Sequence, residues 1–546
     1  MITYNCVLFR IITFMQYSKQ DRGVLENESE WDLIVIGGGA TGLGTALDSA
    51  ARGFKTLLLE QSDFAKGTSS RSTKLVHGGV RYLAQGDISL VYQALKERGR
   101  LQINAAHLVS KEEFLIPCYD WFSVIKYLSG LKIYDWLAGG YSFGKSKFLS
   151  RAEVQKRLPG LVDKSLVGAI SYFDGKFDDA RLAVNIAQTC IERGGSVLNY
   201  VKVNKLLKDK KGKVNGVEAF DLLSGNNHLL HAKIVINATG VFVDDILKMN
   251  TPNAEKMVRP SQGIHLVIEN KFLGSDSALM IPKTSDNRVL FAVPWHSKLL
   301  VGTTDTPIDE HSLEPRALDE EVDFILDTAA KYFKMRIDKK DVLSVFAGLR
   351  PLAAPSKNDS NATKEISRDH KLIVSKSGLI TITGGKWTTY RKMSEETIDT
   401  AIQTSNLGRE KCVTKDLKIH ACTSNHSSSH LSIYGSDMAN ILILASELSG
   451  GEEQIHASYP NIKAEVIWAV RNEMAYKVED VLARRMRMLF VDARAAIEMC
   501  PIVAQLMADE MQMSSLWVEE QILEFTQIAS EYLLEPLEQD KETTLT

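Results

Sequence analysis

The order of hydrophobic and polar positions predicts a strand, helix and strand near the start of the chain. Asp32–Ile36 is a short apolar run rich in Ile and Val, and Gly37–Gly44 after it is rich in glycine. A helical pattern then runs through about Ala51, and Lys55–Glu60 forms a second apolar run. This succession predicts the opening βαβ unit of a doubly wound parallel sheet.

Later apolar runs predict strands that lie far apart in the sequence. These runs are Lys233–Ala238, Val289–Val293, Lys298–Gly302 and Gly378–Thr383. Because long stretches separate them, we expect a second domain to interrupt the sheet domain. Met438–Leu448 and Ile462–Leu533 contain few helix breakers, and they predict a helical C-terminal domain.

We expect four segments along the chain. They are an N-terminal extension (1–30), a sheet domain with an interleaved second domain (31–405), a linker (406–430) and a helical C-terminal domain (431–546). Met1–Met15 is apolar but too short to span a bilayer, and it lacks the cleavage site of a signal peptide. The sequence leaves open whether residues 1–14 are translated.

Composition narrows the class of protein. The chain has 546 residues, 44% hydrophobic and 24% charged, which fits a globular protein of two or three domains. A net charge of -3 gives no electrostatic case for nucleic acid. Six scattered cysteines without a CxxC pair indicate reduced thiols in a cytosolic setting, and we expect no metal site.

Gly37–Gly42 reads GGGATG and matches the GxGxxG pattern of dinucleotide sites. Gly37 permits the tight turn, Gly39 lets the backbone approach a pyrophosphate, and Gly42 lets helix and strand pack closely. Glu60 ends the second strand, where a carboxylate can accept hydrogen bonds from ribose hydroxyls and would repel the extra phosphate of NADP. This motif alone leaves FAD and NAD both open.

Two further motifs point to a flavin. Thr68–Leu83 combines hydroxyls, Lys74, His77 and two arginines, which suit a pyrophosphate and an anionic substrate. In Gly384–Lys392, two glycines allow close approach to a flat ring, and Lys386 would stabilise a reduced, anionic flavin. This segment is not a phosphate-binding Walker A loop, because Trp387 stands at the Ser/Thr position. Asn237–Gly240 resembles the returning strand of glutathione-reductase-type flavoproteins.

Together these motifs resemble the FAD-dependent glycerol-3-phosphate dehydrogenases. Ser69–Leu83 and Gly384–Lys392 follow the family patterns closely. Shorter matches are Gly302–Asp305, Gly348–Leu352, Ile366–Asp369 and Glu479–Arg485. The resemblance implies an α/β fold: a glutathione-reductase-like Rossmann domain for FAD, an inserted β-rich substrate domain and a helical C-terminal domain. No EF-hand loop follows Val491, so calcium control is not expected.

The resemblance also implies residue roles. The substrate would be surrounded by Arg81, His265, Arg350, Arg368 and Lys386. FAD would be contacted by Gly37, Gly39, Gly42, Glu60, Gln61, Ser69, Ser70, Lys74, His77, Gly78, Gly240, Gly384, Gly385 and Thr388.

These roles suggest a mechanism for oxidation of sn-glycerol 3-phosphate to dihydroxyacetone phosphate. Arg350, Arg81 and Arg368 would clamp the phosphate, since guanidinium groups bind it with two hydrogen bonds. His265 is our hypothesis for the general base, because an imidazole titrates near working pH. Lys386 would stabilise an alkoxide.

The family suggests a membrane quinone as the electron acceptor. Asp120–Leu149 mixes aromatic residues with lysines, as segments at a membrane surface do; a cap packed on the substrate domain is the alternative. The residues are Trp121, Phe122, Tyr127, Tyr134, Trp136, Phe148, Lys126, Lys132, Lys145 and Lys147. We expect a cytoplasmic protein held peripherally at the inner face of the cytoplasmic membrane, and a homodimer stays open.

Three other functions stay open at this point. A glycerol-3-phosphate oxidase would carry the same motifs and pass electrons to oxygen. An amine or amino-acid oxidase would not need so many cations around a phosphate. A non-catalytic FAD-binding scaffold would hold a flavin that no polyol phosphate reduces.

Overall fold

The computed structural model describes residues 22–28, 30–83, 86–284, 288–353, 370–425 and 427–535, without the side chains of Arg81 and Ala353. The strands are β1 Glu30–Ile36, β2 Thr56–Leu59, β3 Leu75–Val76, β4 Val109–Cys118, β5 Lys147–Ser150, β6 Gly168–Phe177, β7 Ser196–Leu198, β8 Val201–Lys208, β9 Val214–Asp221, β10 Asn227–Asn237, β11 Val258–Glu269, β12 Ala278–Ile281, β13 Leu290–Trp295, β14 Lys298–Gly302, β15 Thr306–Pro307, β16 Val342–Ala353, β17 His370–Val374, β18 Ile380–Gly384, β19 Gln454–His456 and β20 Tyr459–Ile462. The helices are α1 Val24–Asn27, α2 Ala40–Ala51, α3 Val80–Leu83, α4 Ile88–Asn104, α5 Trp121–Ala138, α6 Arg151–Arg157, α7 Asp179–Glu192, α8 Val243–Asn250, α9 Asp319–Tyr332, α10 Tyr390–Thr404, α11 Met438–Glu447, α12 Lys463–Asn472, α13 Met488–Val491, α14 Ala493–Met511 and α15 Ser515–Ser530.

The first sheet has the parallel core that the sequence predicts. Its strands run β17-β18-β10-β1-β2-β7, with β8 and β9 attached beside β10. The pairs β18–β10, β10–β1, β1–β2 and β2–β7 are parallel. Helices α2, α7 and α10 pack on one face, and Leu43 and Ile398 are fully buried there against strand residues such as Leu33. Parallel strands are covered in this way because both of their faces must leave water.

The second sheet is mostly antiparallel and is built from two separate stretches of the chain. Its order is β15-β11-β14-β13-β12-β4-β6-β3, with β16 beside β11 and β5 beside β6. The two stretches meet where β4 pairs with β12 in parallel. The two-sheet architecture confirms the fold class expected from the sequence.

The C-terminal region contains one element that the sequence did not predict. Helices α11, α12, α14 and α15 appear where helices were expected, but a hairpin of β19 and β20 precedes α12. Val267 and Phe346 of the second sheet belong to the apolar core of this region, so it packs directly on that sheet. No helix of the described residues is long and apolar enough to cross a membrane.

The segment predicted as a linker lies flat on the first domain. Residues 405–429 contain no helix or strand where they are described. Thr414 donates to Asp48 on α2 over 2.8 Å, and the Ile419 amide donates to the carbonyl of Asn104 on α4. His420 lies between Glu192 at the end of α7 and Asp437 just before α11, 2.5 Å and 2.8 Å from their carboxylates.

We predict that protonated His420 stabilises the folded protein and that this stabilisation is lost at alkaline pH. Burial alone would lower the pKa of His420, but its hydrogen bonds to Asp437 and Glu192 raise it to about 9. A pKa above that of the unfolded chain, about 6.5, means that the stabilisation is fully present below pH 6.5 and is lost as pH rises through 9. Wild type should therefore melt at a higher temperature than His420→Gln at pH 6, and the gap should close near pH 10.

His456→Gln serves as the control, since His456 also contacts a carboxylate but on the exposed side chain of Glu498. A gap between wild type and His420→Gln that stays constant from pH 6 to pH 10 would contradict the assignment.

Candidate active site

The carboxyl ends of the parallel strands open onto a cavity of about 760 Å³. Residues after β1, β2, β10 and β18 line one side, and β11, β16 and the residues after β14 supply the other. In doubly wound sheets the ligand crevice lies at this edge, where neighbouring connections leave in opposite directions. A volume of this size suits a bound small molecule.

The glycine turn after β1 is held by close contacts that only glycine permits. Gly37 has a φ of +110°, a conformation that other residues rarely adopt. A methyl group on Gly42 would lie 1.8 Å from the Gly37 carbonyl oxygen. The Gly38 amide donates to Glu60 over 2.6 Å, and the Ala40 amide at the start of α2 donates to Ser69 over 2.9 Å. Burial raises the pKa of Glu60 even though two backbone amides donate to it.

A second wall of the cavity joins the Ser69 loop to the loop after β18. Trp387 donates its indole N–H to the Ser69 carbonyl over 2.8 Å, and Thr388 accepts from the His77 amide over 3.2 Å. Gly384 and Gly385 both have positive φ, +80° and +74°. The consecutive left-handed glycines explain why the backbone turns sharply here.

Arg350 on β16 extends its guanidinium across β11. It donates to Asp305 over 3.1 Å, to Thr303 over 3.1 Å and to the Thr304 carbonyl over 3.0 Å. A methyl group on Gly263 would lie 2.2 Å from Nη2 of Arg350, so this glycine makes room for the guanidinium. Arg350 is therefore fixed in place before any ligand arrives.

His265 lies two residues farther along β11 on the same face as Gly263. Residues i and i+2 of a strand are about 7 Å apart, so the imidazole and the guanidinium are neighbours. Its Nε2 is 2.9 Å from the Thr73 hydroxyl, and its ring stacks on Phe346 at 5.0 Å between centroids. Burial, and then the charges of Lys74 and Arg350, hold the pKa of His265 well below its usual value. The expectation that this imidazole titrates near working pH is therefore wrong, and His265 is neutral.

Lys386 faces the cavity from the loop after β18. Its Nζ lies 3.8 Å from the centroid of the Tyr82 ring, a cation–π contact. The chain therefore places an ammonium group, a guanidinium and a neutral imidazole around one cavity.

Most of the residues predicted from the sequence come together there. Those that line the cavity are Gly37, Gly39, Glu60, Gln61, Ser69, His77, Gly240, His265, Arg350, Gly384, Gly385, Lys386 and Thr388. Gly42, Ser70, Lys74 and Gly78 lie behind this lining. Arg368 and the side chain of Arg81 lie outside the described residues.

Lys74 has structural partners that the sequence did not reveal. Its ammonium is fully buried, 2.8 Å from Asp179 and 2.7 Å from the Ser70 carbonyl. Arg487 of the C-terminal domain contacts the same carboxylate over 2.9 Å. Burial lowers the pKa of Lys74 to about 7, since Asp179 only partly offsets burial and the nearby Arg487 charge.

Sequence reasoning also missed residues that position the site. Asp305 anchors Arg350, Thr73 contacts His265, and Tyr82 lies under Lys386. Thr73 and Tyr82 stand inside Thr68–Leu83, so the motif itself contained them. No group of His, Cys, Asp and Glu side chains suited to a metal ion occurs in the described parts of the chain.

Comparisons with known proteins agree with this geometry. The family described as FAD dependent oxidoreductase matches residues 32–391. A probable mitochondrial glycerol-3-phosphate dehydrogenase of Caenorhabditis elegans is 40% identical over 90% of this chain and 72% of that protein. The mitochondrial glycerol-3-phosphate dehydrogenase of Homo sapiens is 38% identical over 91% of this chain and 73% of that protein. The chain belongs to the FAD-dependent glycerol-3-phosphate dehydrogenase family.

Solved structures and a second family match extend this family assignment. The glycerol-3-phosphate dehydrogenase of Bacillus halodurans, solved with FAD, superposes with a TM-score of 0.78 at 31% identity, covering 96% of this chain and 99% of that one. An L-alpha-glycerophosphate oxidase from Mycoplasma pneumoniae shares the fold at 16% identity. The TM-score is 0.55, and the match covers 71% of this chain and 98% of that one. Residues 377–517 match the C-terminal domain of alpha-glycerophosphate oxidase. The dehydrogenase resemblance seen in the motifs is confirmed.

We predict that Gly42→Ala destabilises the protein. The added methyl group would overlap the Gly37 carbonyl, so α2 or the turn must move, at a cost of about 1–3 kcal/mol. The measurement is the melting temperature, which should fall. Gly67→Ala is the matched control, because its φ is −74° and a methyl group there meets no atom within 4 Å. Equal melting temperatures for the two variants would show that this close approach does not constrain the turn.

Proposed function

We propose that this chain oxidises sn-glycerol 3-phosphate to dihydroxyacetone phosphate with a tightly held FAD and passes the electrons to a membrane quinone. Membership of the dehydrogenase family supports the reaction. The observation that carries it is the placement of Arg350 on β16 and His265 on the adjacent strand β11 at one cavity, which the glycine turn also borders. An anion site beside a neutral base suits a phosphorylated alcohol.

The residues present fit FAD. The Gly37 turn, the start of α2 and the Ser69 loop would hold the pyrophosphate, and Glu60 would accept from the ribose hydroxyls. Gly384 and Gly385 would let the backbone lie against the flat ring. When bound, FAD accepts the hydride that leaves C2 of the substrate.

Arg350 binds the phosphate and orients the substrate. Its guanidinium carries a permanent charge and is immobilised by Asp305 and Thr303, so little freedom is lost on binding. Arg81 and Arg368 remain proposed partners for the same phosphate on the strength of the family motifs.

His265 accepts the proton of the C2 hydroxyl. Burial and the nearby charges of Lys74 and Arg350 hold the pKa of His265 well below its usual value, so the imidazole is neutral and has a lone pair, but it is a weaker base than an imidazole that titrates near working pH. Its Nδ1 makes no hydrogen bond to a described residue, whereas Nε2 contacts Thr73. Lys386 stabilises the negative charge that develops on the substrate oxygen as the proton leaves.

Helix α5 is the proposed contact with the membrane. Phe122, Ile125, Ile133 and Trp136 recur at helical spacing and form an exposed apolar stripe; Phe122 is 77% exposed and Trp136 79%. The opposite face packs on an apolar cluster that includes Phe114 and Tyr172, which also line the cavity. One of the predicted contact residues, Tyr134, belongs to that buried face and is not at the surface.

This arrangement favours a lipid-soluble acceptor. A single apolar cluster separates the exposed stripe of α5 from the cavity, so a quinone in the membrane would approach the site without crossing water. We propose a peripheral location on such a membrane. The relatives from Caenorhabditis elegans and Homo sapiens are named mitochondrial, whereas the sequence suggested the cytoplasmic membrane of a cell; both membranes carry quinones.

We predict that anaerobic addition of sn-glycerol 3-phosphate bleaches the yellow protein, and that glycerol, which lacks the phosphate, does not. Arg350→Ala should retain its flavin but lose about 100-fold in kcat/KM, because charged hydrogen bonds to the phosphate are removed. The kcat/KM of Arg350→Lys should lie between those of wild type and Arg350→Ala, since an ammonium group keeps the positive charge but cannot donate the two parallel hydrogen bonds of a guanidinium. The measurements are flavin absorbance and steady-state kinetics with an artificial acceptor.

Arg336→Ala, at an exposed arginine away from the cavity, is the control and should match wild type. A flavin that stays oxidised with saturating substrate would overturn the proposed reaction. The oxidase is the second candidate, favoured by the match of residues 377–517. It would give stoichiometric peroxide in air and no faster turnover with a quinone analogue.

We predict that Phe122→Ser with Trp136→Ser weakens binding to phospholipid vesicles at least tenfold, as expected from about 2 kcal/mol of apolar burial per large side chain. Flotation of the protein with vesicles measures the bound fraction. Turnover with a soluble acceptor should not change.

The control is Leu516→Ser with Leu523→Ser, which removes two other exposed apolar side chains, 61% and 71% exposed, from α15. If this variant and the α5 variant float alike, α5 is not the membrane contact.

A further inference from the structure

A turn of the C-terminal domain reaches into the first domain with three buried arginines. Asp480–Arg485 forms a π-helical turn, and Arg487 follows with a left-handed φ of +68°. The side chains of Arg484, Arg485 and Arg487 are at most 2% exposed. The turn and the residue before it make up the family motif Glu479–Arg485, and the reaction proposed above makes no use of it.

Two of the arginines converge on Asp63. Arg485 donates to both carboxylate oxygens of Asp63, over 2.7 Å and 2.9 Å, and Arg484 donates to one of them. Burial alone would raise the pKa of Asp63, but the charges of Arg485 and Arg484 outweigh it and hold the pKa below its usual value. Asp63 is therefore a charged group that this turn neutralises.

Asp63 lies in the middle of the loop that holds the glycine turn. At one end of the loop, Glu60 accepts from the Gly38 amide; at the other, the Ala65 amide donates to the Gly38 carbonyl over 3.0 Å. The 60–65 loop thus holds both the amide and the carbonyl of Gly38 by hydrogen bonds. The position of the loop in turn depends on the two arginines, because its buried carboxylate has them as partners.

Arg487 makes the equivalent contact with the other loop of the site. It donates to the Ser70 carbonyl over 2.9 Å and to Asp179 over 2.9 Å. Asp179 also accepts from the Ser72 amide and from Lys74, so it fixes the whole 70–74 segment. This segment follows Ser69, the partner of the Ala40 amide at the start of α2.

We propose that the turn 480–487 is a positioning element for FAD: through Asp63 and Asp179 it sets the two loops that hold the cofactor, and so determines FAD affinity. The turn itself does not touch the cavity. The proposal rests on the FAD binding proposed above. It predicts that the C-terminal domain acts on cofactor binding through particular ion pairs and not merely through overall stability.

The physical reason is the cost of a buried, unpaired charge. Removing one partner of a buried ion pair leaves the other without compensation, and the chain relieves this by moving the loop that carries it. A displaced 60–65 loop would no longer hold Gly38, so FAD would bind a turn that must first be ordered. Coupling between two sites is reciprocal, so FAD binding should also order the turn.

The test compares full-length apoproteins titrated with FAD, followed by flavin fluorescence at a temperature where circular dichroism shows each variant folded. Asp63→Asn should raise the Kd for FAD at least about tenfold, as expected for lost charged hydrogen bonds. Arg485→Lys keeps the charge but loses the paired hydrogen bonds, and should give a smaller increase.

The control is Glu510→Gln, which removes the negative charge and one of the two acceptors that Arg471 uses within the same domain. It should lower the melting temperature and leave the Kd for FAD unchanged. If Asp63→Asn and Arg485→Lys behave like this control, the ion pairs only stabilise the fold and the proposal is wrong. Wild-type apoprotein that binds no FAD would instead overturn the proposed function.

A second test uses wild type alone, so it remains possible if the variants do not fold. Hydrogen exchange of the apoprotein and of the FAD-bound protein should show slower exchange in residues 480–487 on FAD binding. Helix α11 (Met438–Glu447), which makes no described hydrogen bond or ion pair with either loop or with the turn, should exchange equally in both states. Equal exchange of residues 480–487 with and without FAD would overturn the proposal.

Discussion

The buried ion pairs between Asp63, Asp179 and the arginines of the C-terminal domain are the constraint on which the rest of the structure depends. Each carboxylate is fully buried, and water cannot compensate its charge. Such groups are tolerated only with well-placed partners, because moving an ion out of water costs several kcal/mol. The carboxylates belong to one domain and the arginines to the other. If the two domains were separated, each would therefore keep charged groups that have lost their ion-pair partners.

The same logic of paired and unpaired charge shapes the cavity. Arg350 is neutralised in part by Asp305, which keeps the guanidinium in place yet leaves it attractive to a dianionic phosphate. The neighbouring His265 is buried beside Lys74 and Arg350, and burial first, then these charges, lowers its pKa. In the proposed mechanism the cationic groups attract the substrate phosphate, while burial and the same charges keep the imidazole unprotonated.

The parts of the fold that local patterns encode were predictable from the sequence. Strands β1 and β2 and the end of α2 lie within two residues of the predicted bounds, because a strand and an amphipathic helix each have a short-range signature; α2 begins at Ala40, inside the glycine-rich stretch Gly37–Gly44. Most of the residues that line the cavity likewise lie in the motifs that the sequence shows. Partners distant in sequence were not predictable: the pairing of Lys74 with Asp179 and the parallel join of β4 to β12 appear only after folding.

Electrostatic states and short elements also escaped sequence reasoning. The neutral state of His265 depends on burial and on charges brought in from Lys74 and Arg350, none of which periodicity reveals. The β19–β20 hairpin has strands of three and four residues, too short to give an alternating pattern against a helical background.

The order of strands in the first sheet has a consequence for how the chain is made. β10 lies between β1 and β18, and β18 begins only at residue 380, so the parallel sheet stays incomplete until most of the chain has left the ribosome. During that interval β9 already pairs with the first part of β10, but Ile236 and Asn237 at its end still lack the partners that β18 supplies. Because unpaired strand positions recruit other chains, chains that end between residues 240 and 380 are expected to aggregate more than the full chain does.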